Sequence, residues 1–360
     1  MRAKKIILSI LCLSITLTAS AQKNFRVVVA GLTHDHVHGI LNQYGKGQID
    51  IVGVAEPDKQ LWEKYSKLYN IPKSVFKADL KLLVSTKKPD AVLAYNAVAY
   101  HVNVVEVCAP LGIAVMVEKP LAATLEQAKR IEALANQYKV KVLTNYETTW
   151  YPSYKEVFDL VNSDSVGVVR KMVVHDGHKG PKEIGCSDAF LNWLTDPVLN
   201  GAGALNDFGC YGADLMTWLM KGQKPIAVTA IARHYKPQVY PKVEDDATIL
   251  VEYLNATGQI EASWNWPFNI KDLEVFGSTG YLHAFDRDNL QIRLTEKNIV
   301  TKKSLPLAQP SDDPLTYLAA VLSGKTDDRN DQASLQYNMI VMQILDAAKR
   351  SIKEGKRIVL

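Results

Sequence analysis

The stretch Val27–Leu41, VVVAGLTHDHVHGIL, decides how the rest of the chain is read. An apolar, β-branched run ends in Gly31, and polar residues follow at once. That pattern suits a buried strand feeding a phosphate-binding turn and a helix. A dinucleotide loop places glycines at its first, third and sixth positions, for a tight turn, close approach of the pyrophosphate and helix packing. Here those positions hold Gly31, Thr33 and His36, so only the first matches. The rival reading is a metal site. His34 and His38 stand one helical turn apart, and Asp35 could add an oxygen. A structural metal site needs four ligands, and the cysteines lie far off in sequence, so no metal is expected. Gly31, Thr33, His34 and Asp35 are expected instead beside a pyrophosphate at the helix start.

Outward from this stretch, strand and helix alternate to about Asn145. IDIVGVAEP, PDAVLAYN, IAVMVEKP and KVKVLTNYE read as further buried strands, and Thr124 with Gln127 forms a capping box opening a helix. Such alternation predicts a parallel, doubly wound sheet with ligands at the carboxyl ends of its strands. Glu56 ends the second strand, where an acid takes ribose hydroxyls and repels an extra phosphate. NAD is therefore favoured over NADP. Glu118 and Lys119 end a strongly apolar strand, and two charges there need a partner or a site. A lysine so placed can steady a substrate alkoxide.

After about Trp150 the texture changes. VVRKMVVHDG is a strand, and IAVTAIARHY, ATILVEYL, GQIEASWNW and IKDLEVFGS follow with short connections. They predict an α+β domain with an open, mostly antiparallel sheet. Residues 22–147 are assigned to the nucleotide-binding domain and 148–360 to this second domain, whose last helix, Gln332 to Glu354, is expected to pack back on the first. In GAGALNDFGCYGADL, Gly201–Leu215, a helix from Asn206 to about Met220 would place Asp207, Tyr211 and Asp214 on one face. A polar stripe on an otherwise apolar helix suits a cleft. Tyr211 can act as general acid or base if a cation such as Lys119 lowers its pKa. His175, His178 and Trp193 are weaker substrate-side candidates, with Asp214.

The 360 residues carry a net charge of +4. Arg2, Lys4 and Lys5 supply three of those charges, which leaves too little for a nucleic-acid or anionic-membrane surface. Those basic residues precede an apolar run that is too short to span a membrane and ends in Ala19-Ser20-Ala21. Residues 1–21 are thus expected to be a signal peptide cut after Ala21, with the mature chain periplasmic or secreted. Cys108, Cys186 and Cys210 then remain, without a CxxC pair, and read as buried thiols.

VEKPLA and the glycine-rich loop leading to Asp207-Phe-Gly-Cys-Tyr211-Gly-Ala-Asp214 resemble the glucose–fructose oxidoreductase, inositol dehydrogenase and MocA family. VGVAEPD, DAVLAYNAVAYH and VEDDATILVEY fall in the same order and spacing. The resemblance implies an NAD-dependent oxidoreductase acting on a secondary alcohol of a sugar, polyol or glycoside. It implies Lys119 as the contact to substrate and cofactor, Asp207 as a substrate-positioning carboxylate and Tyr211 in place of a catalytic histidine. Asn96, His101 and Glu118 complete the implied cofactor contacts. The open sheet implies a homodimer or homotetramer. Export implies a retained cofactor, regenerated within each cycle. The alternatives are a glycoside hydrolase working by transient oxidation and elimination, and a non-catalytic sugar-binding relic.

Overall fold

The computed structural model describes residues 24–47 and 49–360. The expected signal peptide lies outside the described residues. In the first half the elements are β1 (Phe25–Ala30), α1 (Val37–Leu41), β2 (Ile49–Ala55), α2 (Lys59–Tyr69), β3 (Phe76–Lys77), α3 (Leu80–Lys87), β4 (Ala91–Ala94), α4 (His101–Cys108), β5 (Ala114–Glu118), α5 (Leu125–Tyr138) and β6 (Val142–Asn145). The six strands form one parallel sheet in the order β3-β2-β1-β4-β5-β6. Every residue of β4 and β5 is buried, as a sheet covered on both faces requires. The order reverses between β1 and β4, and the crevice at such a reversal is where these sheets bind ligands. Thr124 and Gln127 cap α5 reciprocally, as the sequence predicts.

The second half contains α6 (Pro152–Asn162), β7 (Val169–Gly177), α7 (Asp188–Leu194), α8 (Ala204–Asp207), α9 (Gly209–Leu219), β8 (Ala227–Arg233), β9 (Asp246–Glu252), β10 (Thr257–Ser263), β11 (Ile270–Gly277), β12 (Tyr281–Ala284), β13 (Asn289–Arg293), β14 (Ile299–Lys303), α10 (Pro314–Leu322), α11 (Leu335–Glu354) and β15 (Ile358–Val359). Nine strands form a sheet ordered β14-β13-β12-β11-β7-β10-β9-β8-β15. It is antiparallel except where β7 lies parallel to β10. Met172, Val174 and Asp176 alternate to the helix-covered face, and Val173 and His175 to the other. α9 is buried along its whole length. α11 bridges the two halves: the Tyr146 hydroxyl donates to Asn338 Oδ1 at 2.9 Å, and Ser334 pairs with Leu143.

Three details differ from the sequence reading. α1 is only five residues long, because the preceding polar residues form turns that bond to other elements. The helix expected from Asn206 is two helices, α8 and α9, broken at Phe208. The strands β12 to β14, with β15 at the other edge, extend the sheet beyond the five predicted.

Candidate active site

A cleft of about 830 Å³ opens at the carboxyl ends of β1, β2 and β4. Gly31, Thr33, Glu56 and Asn96 line it from the first domain, and Asp188, Asn192 and Trp193 of α7 line it from the second. Gly31 has φ +88, and a Cβ there would lie 2.6 Å from the Asn96 Cβ, so no side chain fits this turn. Glu56 is buried at the cleft and accepts from the Leu32 and Asp58 amides at 2.8 and 2.9 Å. The loop amides are largely committed to the protein: His34 N–H donates to Tyr95 O and His36 N–H to His34 Nδ1. Thr33 and Asp35 keep the amides left uncommitted among the described residues. A glycine-poor loop thus still presents donors to a pyrophosphate. The Asn96 Oδ1 is buried here without a partner among the described residues, a polar atom awaiting a ligand. The lining has the chemistry an NAD molecule needs: Gly31 and Thr33 are the residues that would hold its pyrophosphate, and Glu56 the one that would meet its ribose.

Two expected cofactor contacts do something else. The Asp35 carboxylate reaches across to α7, accepting from Ser187 N–H at 2.8 Å and Ser187 Oγ at 2.6 Å. Trp193, expected near substrate, donates its Nε1–H to Thr33 O at 3.2 Å and so closes the cofactor cleft. His101 is fully buried behind the site, with Nδ1 3.2 Å from Leu121 O; burial pushes it down to about 4. Its Nδ1 supports the chain after Lys119, and its Nε2 is buried without a partner among the described residues.

His34 is enclosed by His36, Phe190 and Trp193. Burial, then the His36 charge, holds it well below its ordinary pKa. One ligand atom each of His34, His36 and Glu118 falls within 4.8 Å of the others, which is close enough for a metal. The protons argue otherwise. His34 Nδ1 accepts from the His36 amide, so the neutral ring carries hydrogen on Nε2, the atom 3.9 Å from Glu118 Oε2. A metal would need a lone pair there. Glu118 is moreover engaged by His36 Nδ1 at 3.0 Å and by Asn145 Nδ2 at 2.8 Å. Against burial, the His36–Glu118 pair lifts the His36 pKa and lowers that of Glu118.

Beside Glu118, the Lys119 Nζ donates to Asp207 Oδ1 and, at 2.9 Å, to Asp207 O. Trp264 Nε1 donates to Asp207 Oδ2 at 3.0 Å. Both charges are buried, and each holds the other ionised despite burial. Asp207 stands at the end of α8, whose start is held by Glu244 accepting from the Gly203 and Leu205 amides. Its carboxylate oxygens each have one protein partner already, so fixing Lys119 is its first effect. One ammonium hydrogen of Lys119 is left for a substrate oxygen.

Tyr211 packs one turn on, and its ring lies under two ammonium groups, Lys119 at 5.0 Å and Lys271 at 4.3 Å from its centre. The expected lowering of the Tyr211 pKa does not occur. Burial, and then the Glu147 and Asp176 charges, push the phenol well up. Tyr211 is therefore a hydrogen donor at neutral pH. His178 joins the cluster: its ring meets Phe208 edge-on at 4.8 Å, and its Nδ1 accepts from Gly180 N–H, leaving Nε2 as donor. His175 does not join it. It lies on the uncovered sheet face, bonded to Asp272 Oδ1 at 2.7 Å, because neighbouring strand residues point to opposite faces. Asp214 is buried beneath, with neither oxygen hydrogen-bonded among the described residues; burial and then Asp331 push it well up. It lies in the interior of α9, and the break at Phe208 separates it from Asp207, with which it was expected to share a face.

Lys271, Glu147 and Asp176 complete the cluster and were not singled out from sequence. Lys271 donates to Glu147 Oε2 at 2.8 Å. Their signal was present: Glu147 follows a strand of the parallel sheet, and Asp176 closes an apolar strand. Cys108 and Cys210 are buried, Cys186 is half-buried, and all three are free thiols.

Residues 25–146 match a family model described as an oxidoreductase family with an NAD-binding Rossmann fold, and residues 154–283 match the GFO/IDH/MocA C-terminal domain. Trans-1,2-dihydrobenzene-1,2-diol dehydrogenase of Xenopus laevis is 27% identical over 205 residues, 56% of this chain and 57% of that protein. The alignments with the two Xenopus enzymes thus span little more than half of their length. The Sus scrofa enzyme of the same name is 22% identical over 81% of this chain and 82% of its own. Among solved structures, aldose-aldose oxidoreductase from Caulobacter crescentus superposes with a TM-score of 0.79 at 19% identity, covering 94% of this chain and 100% of that one. An inositol dehydrogenase homolog from Azotobacter vinelandii, complexed with NAD+, gives 0.79 at 16% identity, covering 94% and 98%.

Proposed function

Because this chain belongs to the Gfo/Idh/MocA family of NAD-binding oxidoreductases, we propose that it oxidises or reduces a secondary alcohol carbon of a sugar, polyol or glycoside and keeps its cofactor between turnovers. The observation that carries the retained cofactor is α7 laid across the cleft. Three hydrogen bonds, two from Ser187 to Asp35 and one from Trp193 to Thr33, tie the second domain to the phosphate loop. A dinucleotide in that cleft leaves only when they part.

Bound nicotinamide supplies the hydride acceptor or donor. The chain supplies the rest. Lys119, oriented by Asp207, donates to the reacting oxygen and stabilises alkoxide character. His178 Nε2–H and the Tyr211 hydroxyl are further donors suited to a polyhydroxy substrate. The apolar enclosure of His34, Phe190 and Trp193 keeps water from the cleft.

Residues 1–21 carry the export reading, which would place the protein where free NAD is scarce. A retained cofactor is then regenerated in each cycle. Two chemistries do this: oxidation of one sugar coupled to reduction of another, or glycoside cleavage by transient oxidation, elimination and re-reduction. The latch favours both equally over a dissociable-cofactor dehydrogenase. Ile231, Leu250 and Phe276, exposed on the uncovered sheet face, support a homodimer or homotetramer. The test is to denature purified protein and measure released NAD. We expect one NAD per chain, and turnover of glucose plus fructose, or of methyl glucoside, without added cofactor. Protein free of NAD that consumes added NAD would refute retention, and sugar binding without any turnover would favour the relic.

A further inference from the structure

Asp176 closes β7 in an unusual setting. Its side chain is fully buried, and neither carboxylate oxygen has a hydrogen-bond partner among the described residues. An unpaired buried carboxylate is costly to ionise. Strand register sets it opposite Lys271, whose Nζ stands 3.7 Å from Oδ2. The groups facing it come from several elements. Lys271 on β11 and Lys119 beyond β5 attract its charge, and Asp207 on α8 and Glu147 after β6 repel it. Tyr151 and Tyr154 at the start of α6, with Cys210 and Tyr211 on α9, also lie within its field.

The charge count singles Asp176 out. Lys119 is paired with Asp207 and Lys271 with Glu147, two neutral pairs. Asp176 has no cation of its own, so the cluster is balanced when it is protonated and one charge negative when it is not.

We propose that Asp176 is the terminal proton acceptor of the reaction, reached through the Lys271 ammonium. This rests on the hydride-transfer reading above. In oxidation, the substrate C–H bond breaks with its electron pair leaving as hydride to an oxidised nicotinamide. The O–H bond breaks heterolytically as the C=O bond forms. For this the Lys271 ammonium closes the 3.7 Å gap to Asp176 Oδ2 and gives it one proton, so that Asp176 ends as carboxylic acid, and the lone pair freed on Nζ takes the substrate hydroxyl proton and restores the ammonium; reduction runs the same steps backwards. Burial brings Asp176 up to about 7, so it exchanges protons near neutral pH. The other groups are unsuited. Tyr211 stays protonated, Lys119 is tied by two hydrogen bonds to Asp207, whose other oxygen is taken by Trp264, and His178 Nδ1 is occupied by the Gly180 amide.

Asp176 acts through Lys271, so the test needs more than a rate. Full-length protein with its cofactor is compared as wild type, Asp176→Asn and Asp176→Glu, with glucose and methyl glucoside as probes. Single-turnover nicotinamide reduction is followed against pH, and the carboxylic-acid infrared band is titrated. Asp176→Asn should slow hydride transfer about 100-fold and abolish the rate inflection near pH 7. Asp176→Glu should restore the inflection. The wild-type band should titrate in the same range and vanish in Asp176→Asn, at unchanged NAD content. An inflection or band that persists in Asp176→Asn overturns the proposal alone. If the band behaves as expected but no variant, wild type included, reduces its cofactor with any probe, the hydride-transfer reading fails and the proposal falls with it.

Discussion

Asp35→Ala tests cofactor retention most directly. Asp35 makes two hydrogen bonds to Ser187, at 2.8 and 2.6 Å, and these join α7 to the phosphate loop. A hydrogen bond to a charged group contributes about 1.5–3 kcal/mol. Both partners regain water when the latch opens, so about 1.5–3 kcal/mol is a fair total for the pair. At 1.4 kcal/mol per decade, NAD should leave roughly 10–100-fold faster. Ser187→Ala is a less clean probe, because Ser187 also caps α7 by accepting from the Phe190 amide. The assay is displacement: NAD-loaded protein is diluted into excess NADH, and the decay of bound NAD is followed with time. Thermal midpoints of the loaded and stripped forms are measured alongside. Asp35→Ala that releases NAD at the wild-type rate, with its fold intact, would refute the latch.

Gly31→Ala sets a Cβ 2.6 Å from the Asn96 Cβ at φ +88, and should cost about 1–3 kcal/mol of stability and weaken NAD uptake, read by melting and by calorimetry. Lys119→Met should leave NAD content near one per chain but lower single-turnover hydride transfer about 100–1000-fold, the scale for losing a donor to developing charge. Glu147 gives a pH prediction: against burial, Lys271 holds its carboxyl down to about 2, below its unfolded value. Its contribution to stability is complete above about pH 4.3 and is lost as pH falls towards 2. The melting temperature of Glu147→Gln should therefore fall less steeply over that acid range than that of wild type, and parallel curves would count against the pair.

The parallel sheet was readable because its evidence is local. Most of its strands are largely apolar runs, the helix after β5 begins with the Thr124–Gln127 capping box, and a two-sided sheet needs such strands and covering helices. Gly31, Glu56 and Lys119 could be placed for the same reason, since each ends a strand whose direction the alternation sets. The second sheet was less legible. Its outer strands are short and half-polar, and nothing local announces that β7 pairs in parallel with β10, a strand some eighty residues on.

The site followed the same division. The residue types were present in the sequence, but their partners were not. Whether Asp35 meets a phosphate or Ser187 depends on where α7 lies, across 152 positions of chain. Whether Tyr211 is a base depends on how deeply it is buried and on the Glu147 and Asp176 charges around it. Asp176 and His175 are chain neighbours, yet one joins the buried cluster and the other faces away, because a strand sends successive side chains to opposite faces. By itself the sequence determined the family, the dinucleotide sheet and the buried lysine, all properties of contiguous pattern. Only the tertiary structure decided the proton positions, the latch and the charge balance, because these arise between groups that the chain keeps far apart.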